Sequence, residues 1–410
     1  MKRRAALLLL VGVYAVTQLF SGCSGEGTGS GSKAGSDTDV FLPQDRIAVG
    51  AGGVVSCFHG LLTYSDYKAQ KTVVLCNKPN CKHEKGTALA PTECSARNPT
   101  GGDISFALFY GGHLYSAWGS ALNKTTLYIA DLDGSNRRKL CELDCQCHIP
   151  YAANMTIVGG VLYLQGEEQT PEVDEKGTNN HLSVFPYAID LKTGKSKRLA
   201  KPIKEENPVI TNLYCLGNQL YYLDNWLDSS FNYLDADQSD SNGNLLAEEH
   251  YHGELRVVDL ATQKEKVLKT FRLETQEHSF SGDFLYYNAG TQSGRKVLRV
   301  YNLRTGEDKA LMDIPDCINY TIVNDELLCG NKSNDSLYSL SSGRKLAEYP
   351  HVFSNGIIIS PEYKIGSAYL VICYSGKDGK GIGAGYINKN DLYNGIPKVT
   401  YCYRYEQEQK

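Results

Sequence analysis

Hydrophobic residues along this chain fall in short bursts broken by Gly, Asn and Asp, and no stretch keeps them at helical spacing over several turns. One recurring burst is a tight turn followed by an aromatic strand. It reads His59-Gly60-Leu61-Leu62-Thr63-Tyr64, then Gly112-His113-Leu114-Tyr115, Gly160-Val161-Leu162-Tyr163, Asn218-Gln219-Leu220-Tyr221-Tyr222 and Asp283-Phe284-Leu285-Tyr286-Tyr287. Weaker copies are Asp325-Glu326-Leu327-Leu328 and Asn355-Gly356-Ile357-Ile358. A second pattern trails the first: Ile129-Ala130-Asp131-Leu132-Asp133-Gly134, Ala188-Ile189-Asp190-Leu191-Lys192-Thr193-Gly194, Val257-Val258-Asp259-Leu260 and Val300-Tyr301-Asn302-Leu303-Arg304-Thr305-Gly306, with a degraded copy at Tyr338 to Gly343. Each second unit predicts a strand, a Gly-bearing turn and a return strand, so each full copy offers about four short antiparallel strands.

The turns at 60, 112, 160, 218, 283, 325 and 355 recur about every 49 residues, within the ~40–50 of a propeller blade. An all-β chain with this period predicts a single β-propeller of seven four-stranded blades, with six or eight as neighbouring counts. A sandwich or two smaller β domains would not explain one period persisting to the C-terminus, whereas radial packing buries both faces of every blade. Residues 45–404 resemble the extracytoplasmic β-propellers related to TolB and to quinoprotein-type repeats, whose blades carry this Asp-Leu-x-Thr-Gly hairpin. The resemblance is to architecture.

The N-terminus reads as an export signal and stands apart from the fold. Lys2, Arg3 and Arg4 precede an apolar stretch from Ala5 to Val16, and Ser21 and Gly22 precede Cys23. That stretch is shorter than the ~20 residues of a spanning helix. Phe20-Ser21-Gly22-Cys23 resembles a bacterial lipobox, with Phe in place of the usual Leu. The resemblance implies cleavage after residue 22, lipidation of Cys23 and a membrane anchor. Residues 23–39, dominated by Gly and Ser, read as a flexible tether spanning roughly 20–25 Å. The propeller domain is expected over 40–410, on the outer side of a cell membrane.

Lys and Arg number 42 against 46 Asp and Glu, and losing Lys2, Arg3 and Arg4 with the signal moves the net charge from −4 to −7. That balance argues against nucleic acid as a partner. The anchor is therefore the expected membrane contact, on a monomer that takes a protein, peptide or glycan ligand.

Candidate chemistry begins at Cys76-Asn77-Lys78-Pro79-Asn80-Cys81-Lys82-His83, followed by Cys94. The spacing C-x4-C-x-H-x10-C offers three thiolates and one imidazole, a tetrahedral set for structural zinc, with Pro79-Asn80 turning Cys81 back toward Cys76. A disulfide between Cys94 and one of the other two, or unreacted thiols, are the alternatives in an exported chain. The stretch also resembles a Cys-x-Lys-Pro-x-Cys-x-His element of uncharacterised propeller lipoproteins from anaerobic Firmicutes. Cys141, Cys145, Cys147 and His148 form a second group that falls one residue short of the C-x-x-C-H of haem attachment.

Residues 238–249 match an EF-hand loop at Asp240, Asn242, Asn244 and Glu249, but Gln238 holds the first ligand position, so calcium is a weak expectation there beside a solvated loop. Gly381-Ile382-Gly383-Ala384-Gly385 is expected as a hairpin turn in the last blade. Trp118, Tyr222 and Trp226 are candidates for stacking on a sugar or peptide, with strand packing as the alternative. No G-x-S-x-G, H-E-x-x-H or G-x-x-x-x-G-K-[ST] occurs. The expectation is a non-catalytic binding or scaffold propeller. The alternative is a glycan-processing hydrolase or lyase whose acids converge on the channel from different blades.

Overall fold

In the computed structural model, the described residues are 48–49, 53–58, 61–66, 71–83, 94–97, 103–119, 124–147, 155–174, 177–203, 206–227, 251–272, 278–290, 296–315, 317 and 319–404. They form seven four-stranded antiparallel sheets, over 48–74, 103–142, 155–198, 206–272, 278–313, 319–350 and 357–404. In each sheet the strands follow one another in chain order, so every connection is a hairpin. The sheets are arranged as a β-propeller. The first strands of the first and second sheets, and of each successive pair from the third to the seventh, run beside one another, and Val399–Arg404 at the end of the seventh sheet lies against Leu61–Asp66 and Lys71–Val74 of the first.

Both repeated patterns have a physical cause. The Asp or Asn that opens the second pattern accepts from the backbone ahead of it. Asp190 Oδ1 takes the Lys192 and Thr193 N–H groups at 3.0 and 2.8 Å, and Asn302 Oδ1 takes those of Arg304 and Thr305 at 2.9 and 3.0 Å. The following Leu donates its N–H to the first pattern's turn: Leu191 to Gly160, Leu260 to Asn218, Leu303 to Asp283 and Leu340 to Asp325. Both tight turns therefore meet at one end of the propeller.

The hairpin glycine does a second job, joining neighbouring sheets. Gly134 and Gly194 sit at φ +79° and +71°, open to glycine without strain. A Cβ on Gly134 would collide with the Leu75 carbonyl of the first sheet, and one on Gly194 would lie 2.9 Å from the Leu140 carbonyl of the second. Each turn is thus seated on the outer strand of the sheet before it.

Burial follows from this stacking. Leu220, Tyr221, Tyr222 and Leu223 are consecutive and all at most 2% exposed, because a sheet packed on both faces has no solvent side. Trp118 and Tyr222, candidates for stacking on a ligand with strand packing as the alternative, belong to this core. Trp118 is 2% exposed with Nε1 donating to Ser116 Oγ at 2.9 Å, and Tyr222 is wholly buried with its hydroxyl on the Glu265 carboxylate.

Two local expectations are corrected. Asn355-Gly356 is a turn leading into the first strand of the seventh sheet, Ile357–Ile365, and the inner hairpin of that sheet is at Gly366-Ser367, before Ala368–Ser375. Gly381 to Gly385 is strand, part of Gly381–Asn388. Its Gly385 lies so close to Thr400 and Tyr401 of the next strand that no Cβ fits. The short helix Lys389–Tyr393, with Asn388 Oδ1 accepting from the Asn390 N–H as its cap, follows that strand directly.

Candidate metal centre and binding face

The segment after the strand Lys71–Val74 builds the clearest chemical site. Leu75 continues the ladder, donating to Leu62 O at 2.9 Å, and Leu62 in turn donates to Ala96 O at 2.8 Å, so both arms of the cysteine loop hang from one strand residue. Between them Cys81 N–H donates back to Lys78 O, with Pro79 and then Asn80 at φ 64°. Proline followed by a left-handed Asn is the chemistry of a type II turn, and it returns Cys81 toward Cys76 as the sequence predicts.

Cys76 Sγ, Cys81 Sγ, Cys94 Sγ and a His83 ring nitrogen all lie within 4.8 Å of one another. Cys94 Sγ and His83 Nδ1 are 3.7 Å apart, and no disulfide joins the three cysteines. Burial pushes the Cys76 thiol up, but hydrogen bonds involving the Lys78 and Ser95 backbone and the Cys94 and Cys81 thiols outweigh it and bring it down to about 7. Burial, with Cys81 and Cys76 as neighbours, pushes Cys94 up to about 12. One thiolate thus forms readily while its neighbours donate to it, the state that a divalent cation would complete by displacing the remaining protons. The donor set fits zinc: soft thiolates with one imidazole, four protein ligands in all, and no open position for a substrate.

The second cysteine group gathers less. Cys145 Sγ and Cys147 Sγ are 3.9 Å apart and both buried, and His148 lies outside the described residues. Above them Glu167, 7% exposed, is pushed up to about 7 by burial, offset in part by Gln165 Nε2 donating to its Oε1 at 2.7 Å. Gln165 Oε1 accepts from Ile210 N–H of the fourth sheet, which fixes the amide. No spacing in the sequence points to Glu167. Its environment comes from three separate sheets and loops.

The end opposite the tight turns is built differently. The strands Val161–Asp174 and Gly177–Asp190 are 14 residues each, and beyond Leu164 the first of them no longer pairs with Met155–Val158. This hairpin therefore projects past its own sheet. Gln219–Leu227 and Tyr251–Asp259 occupy the same positions in the next sheet. Trp226 pairs with His252 at that rim, half-buried, with its ring stacked on the imidazole at 5.6 Å and 22°. Of the three aromatic candidates it alone keeps a face toward solvent. Asp240, Asn242, Asn244, Glu249 and Cys23 lie outside the described residues.

The buried carboxylates of the described residues are largely matched by cations. Asp224, wholly buried, faces Arg256 Nε at 3.1 Å, and Glu326, 2% exposed, collects Lys364 Nζ at 2.9 Å and Lys389 Nζ at 3.5 Å.

No model of a protein family matches the chain, and no curated protein sequence matches it. Among solved structures it is similar to a puromycin hydrolase (12% identity, 90% of this chain and 53% of that one, TM-score 0.52). Others are an oligogalacturonate lyase in complex with manganese (12% identity, 82% and 85%, TM-score 0.47) and an oligogalacturonate lyase from Vibrio parahaemolyticus (11% identity, 88% and 92%, TM-score 0.46). This chain spans about half the length of the puromycin hydrolase. At such identities the likeness is one of fold, the β-propeller.

Proposed function

We propose that this chain is a lipid-anchored, extracytoplasmic β-propeller that binds a protein, peptide or glycan partner without transforming it. The observation that carries the reading is the asymmetry of its two ends. One is closed by short turns hydrogen-bonded to each other, and the other carries the projecting 14-residue hairpin and the Trp226–His252 stack on adjacent sheets. Rigid sheets presenting long connections at one end are the usual way a β scaffold offers a recognition surface. A half-exposed indole held flat by a neighbouring ring suits stacking on a sugar face or an aromatic side chain. The cysteine cluster enters as a structural zinc centre, and the membrane is reached through Cys23.

The reading is tested by probing the chain from Val40 onward against glycan and peptide arrays, with Trp226→Ala and a version in which 168–181 is cut to a two-residue turn. Binding that both changes abolish, without product formation, supports it. Conversion of a bound glycan to shorter products overturns it in favour of a hydrolase or lyase. For the anchor, the full-length chain should enter a detergent phase and Cys23→Ala should not.

A further inference from the structure

The metal loop is not confined to the first sheet. Arg137, in the outer hairpin of the second sheet, reaches across to the turn that carries Cys94. Its Nη1 donates to Ser95 O at 2.7 Å and also to Arg97 O, and its Nη2 donates to Cys94 O at 3.3 Å. The guanidinium lies 5.7 Å from the Tyr128 ring centroid, which holds its plane. It is also within electrostatic reach of the Cys94 and Cys76 sulfurs. Three residues earlier in the chain, Gly134 sits directly against the Leu75 carbonyl, one residue before Cys76. The second sheet thus grips both arms of the loop that bears the ligands, at Leu75 and at 94–97.

Charge makes this grip more than packing. Three thiolates, a neutral imidazole and a divalent zinc sum to a net charge of about −1, in a partly buried site. A partly buried anionic centre is costly unless a cation lies close by, and one fork with its hydrogen atoms on the ligand turn supplies it. We infer that Arg137 is a positioning residue for the zinc centre of Cys76, Cys81, His83 and Cys94, so that metal binding and the contact between the first and second sheets form one coupled unit. The inference rests on the zinc reading above. Metal binding would then fasten one sheet to the next at a loop that has few apolar side chains of its own. In the opposite direction, seating of the second sheet would raise the affinity of the site for metal.

Cobalt(II) is the probe, because thiolate ligation gives it intense visible and charge-transfer bands that report the ligand set directly. The full chain is titrated with cobalt and then with zinc, as wild type, Arg137→Gln, Arg137→Lys and Arg138→Gln. Arg138 is the exposed neighbour and serves as control. Loss of an outer-shell partner typically weakens metal binding about 10- to 100-fold. Arg137→Gln should fall in that range with the same bands, Arg137→Lys should recover part of the loss, and Arg138→Gln should match wild type. Independently of any variant, chelation of the wild type should speed hydrogen exchange at Asp131 and Gly134 of the second sheet as well as at Leu62 and Arg97 of the first. A wild type that takes up neither cobalt nor zinc overturns the zinc reading and this inference together. Stoichiometric binding that Arg137→Gln leaves unchanged, with exchange in the second sheet unmoved by chelation, overturns the coupling alone.

Discussion

Between the sixth and seventh sheets the contact is built from charges that travel with their own partners. Glu326 accepts from Lys364, Lys389 and the hydroxyls of Tyr369 and Tyr393, and Lys364 has Asp325 in reserve at 2.9 Å. Between the first and second sheets the corresponding place holds three thiols, an imidazole and an arginine fork on backbone carbonyls. The first arrangement is complete as the chain folds. In the second, hydrogen bonds lower one thiol while burial raises another, and a cation is what would turn the group into a joint. One seam of the propeller is thus sealed with side chains alone, where a carboxylate on one sheet meets lysines and tyrosines of the next. A polar loop such as 77–83 has to borrow its cohesion.

The largest effect is expected at the metal seam. Chelation, or Cys81→Ser, should cost several kcal/mol of stability, read as a lower urea midpoint, and remove about one zinc per chain by metal analysis. Exchange protection at the sixth and seventh sheets should persist until the global transition. Equal loss of protection at both seams would show that they are not independent.

Next comes Glu326→Ala, which leaves Lys364 and Lys389 without their shared carboxylate. Removing one partner of a buried pair costs about 3–5 kcal/mol. The lysine side chains are 20% and 32% exposed and can turn toward water, so about 3 kcal/mol is expected, with zinc content unchanged.

A third test concerns Glu167, at the seam between the second and third sheets. Its folded value, raised to about 7 by burial, lies above the ordinary carboxylate value of 4.5, so the folded state holds the proton more tightly than the unfolded chain. The penalty of ionising it is absent below about pH 4.5, grows as pH rises toward 7 and is constant above that, reaching roughly 3 kcal/mol. Glu167→Gln mimics the protonated form. It should match wild type at pH 4 and exceed it by about 2–3 kcal/mol at pH 8.5 in thermal melts followed by circular dichroism. A constant offset across that range would show that the carboxyl is ionised in the fold.

Trp226→Ala should move stability least, by about 0.5–1 kcal/mol, because the ring is only half-buried and, among the described residues, stacks on His252. A larger loss would make the rim part of the core and weaken its assignment to binding.

Much of this architecture is legible in the chain because it is local. Asp190, Thr193 and Gly194 close their own turn, so an Asp-Leu-x-Thr-Gly string announces a hairpin wherever it occurs. Cys76, Pro79, Asn80, Cys81 and His83 likewise sit within one loop, and their spacing suffices to expose the cluster. The inner hairpin of the seventh sheet is not legible in this way. Asn355-Gly356 and Gly366-Ser367 are both good turns, and only the pairing of Ile357–Ile365 with Ala368–Ser375 decides which is the inner hairpin. Trp118 and Tyr222 look like ligand contacts in a string of letters because aromatic residues serve cores and surfaces alike. A sheet packed on both faces sends them inward.

The class of fold, the repeat, the turn chemistry and the set of metal-competent side chains are written along the chain, since each depends on residues a few positions apart whose backbone preferences are intrinsic. The tertiary structure alone decided that Arg137 grips the turn of Cys94 from 43 positions away, that Glu326 gathers lysines 38 and 63 positions on, and that Gln165 is fixed by Ile210. Burial, and with it the raised value of Glu167, is likewise a property of what other sheets bring near. Such contacts depend on how the twist and stacking of whole sheets sum around a ring, and no short window of sequence carries that sum.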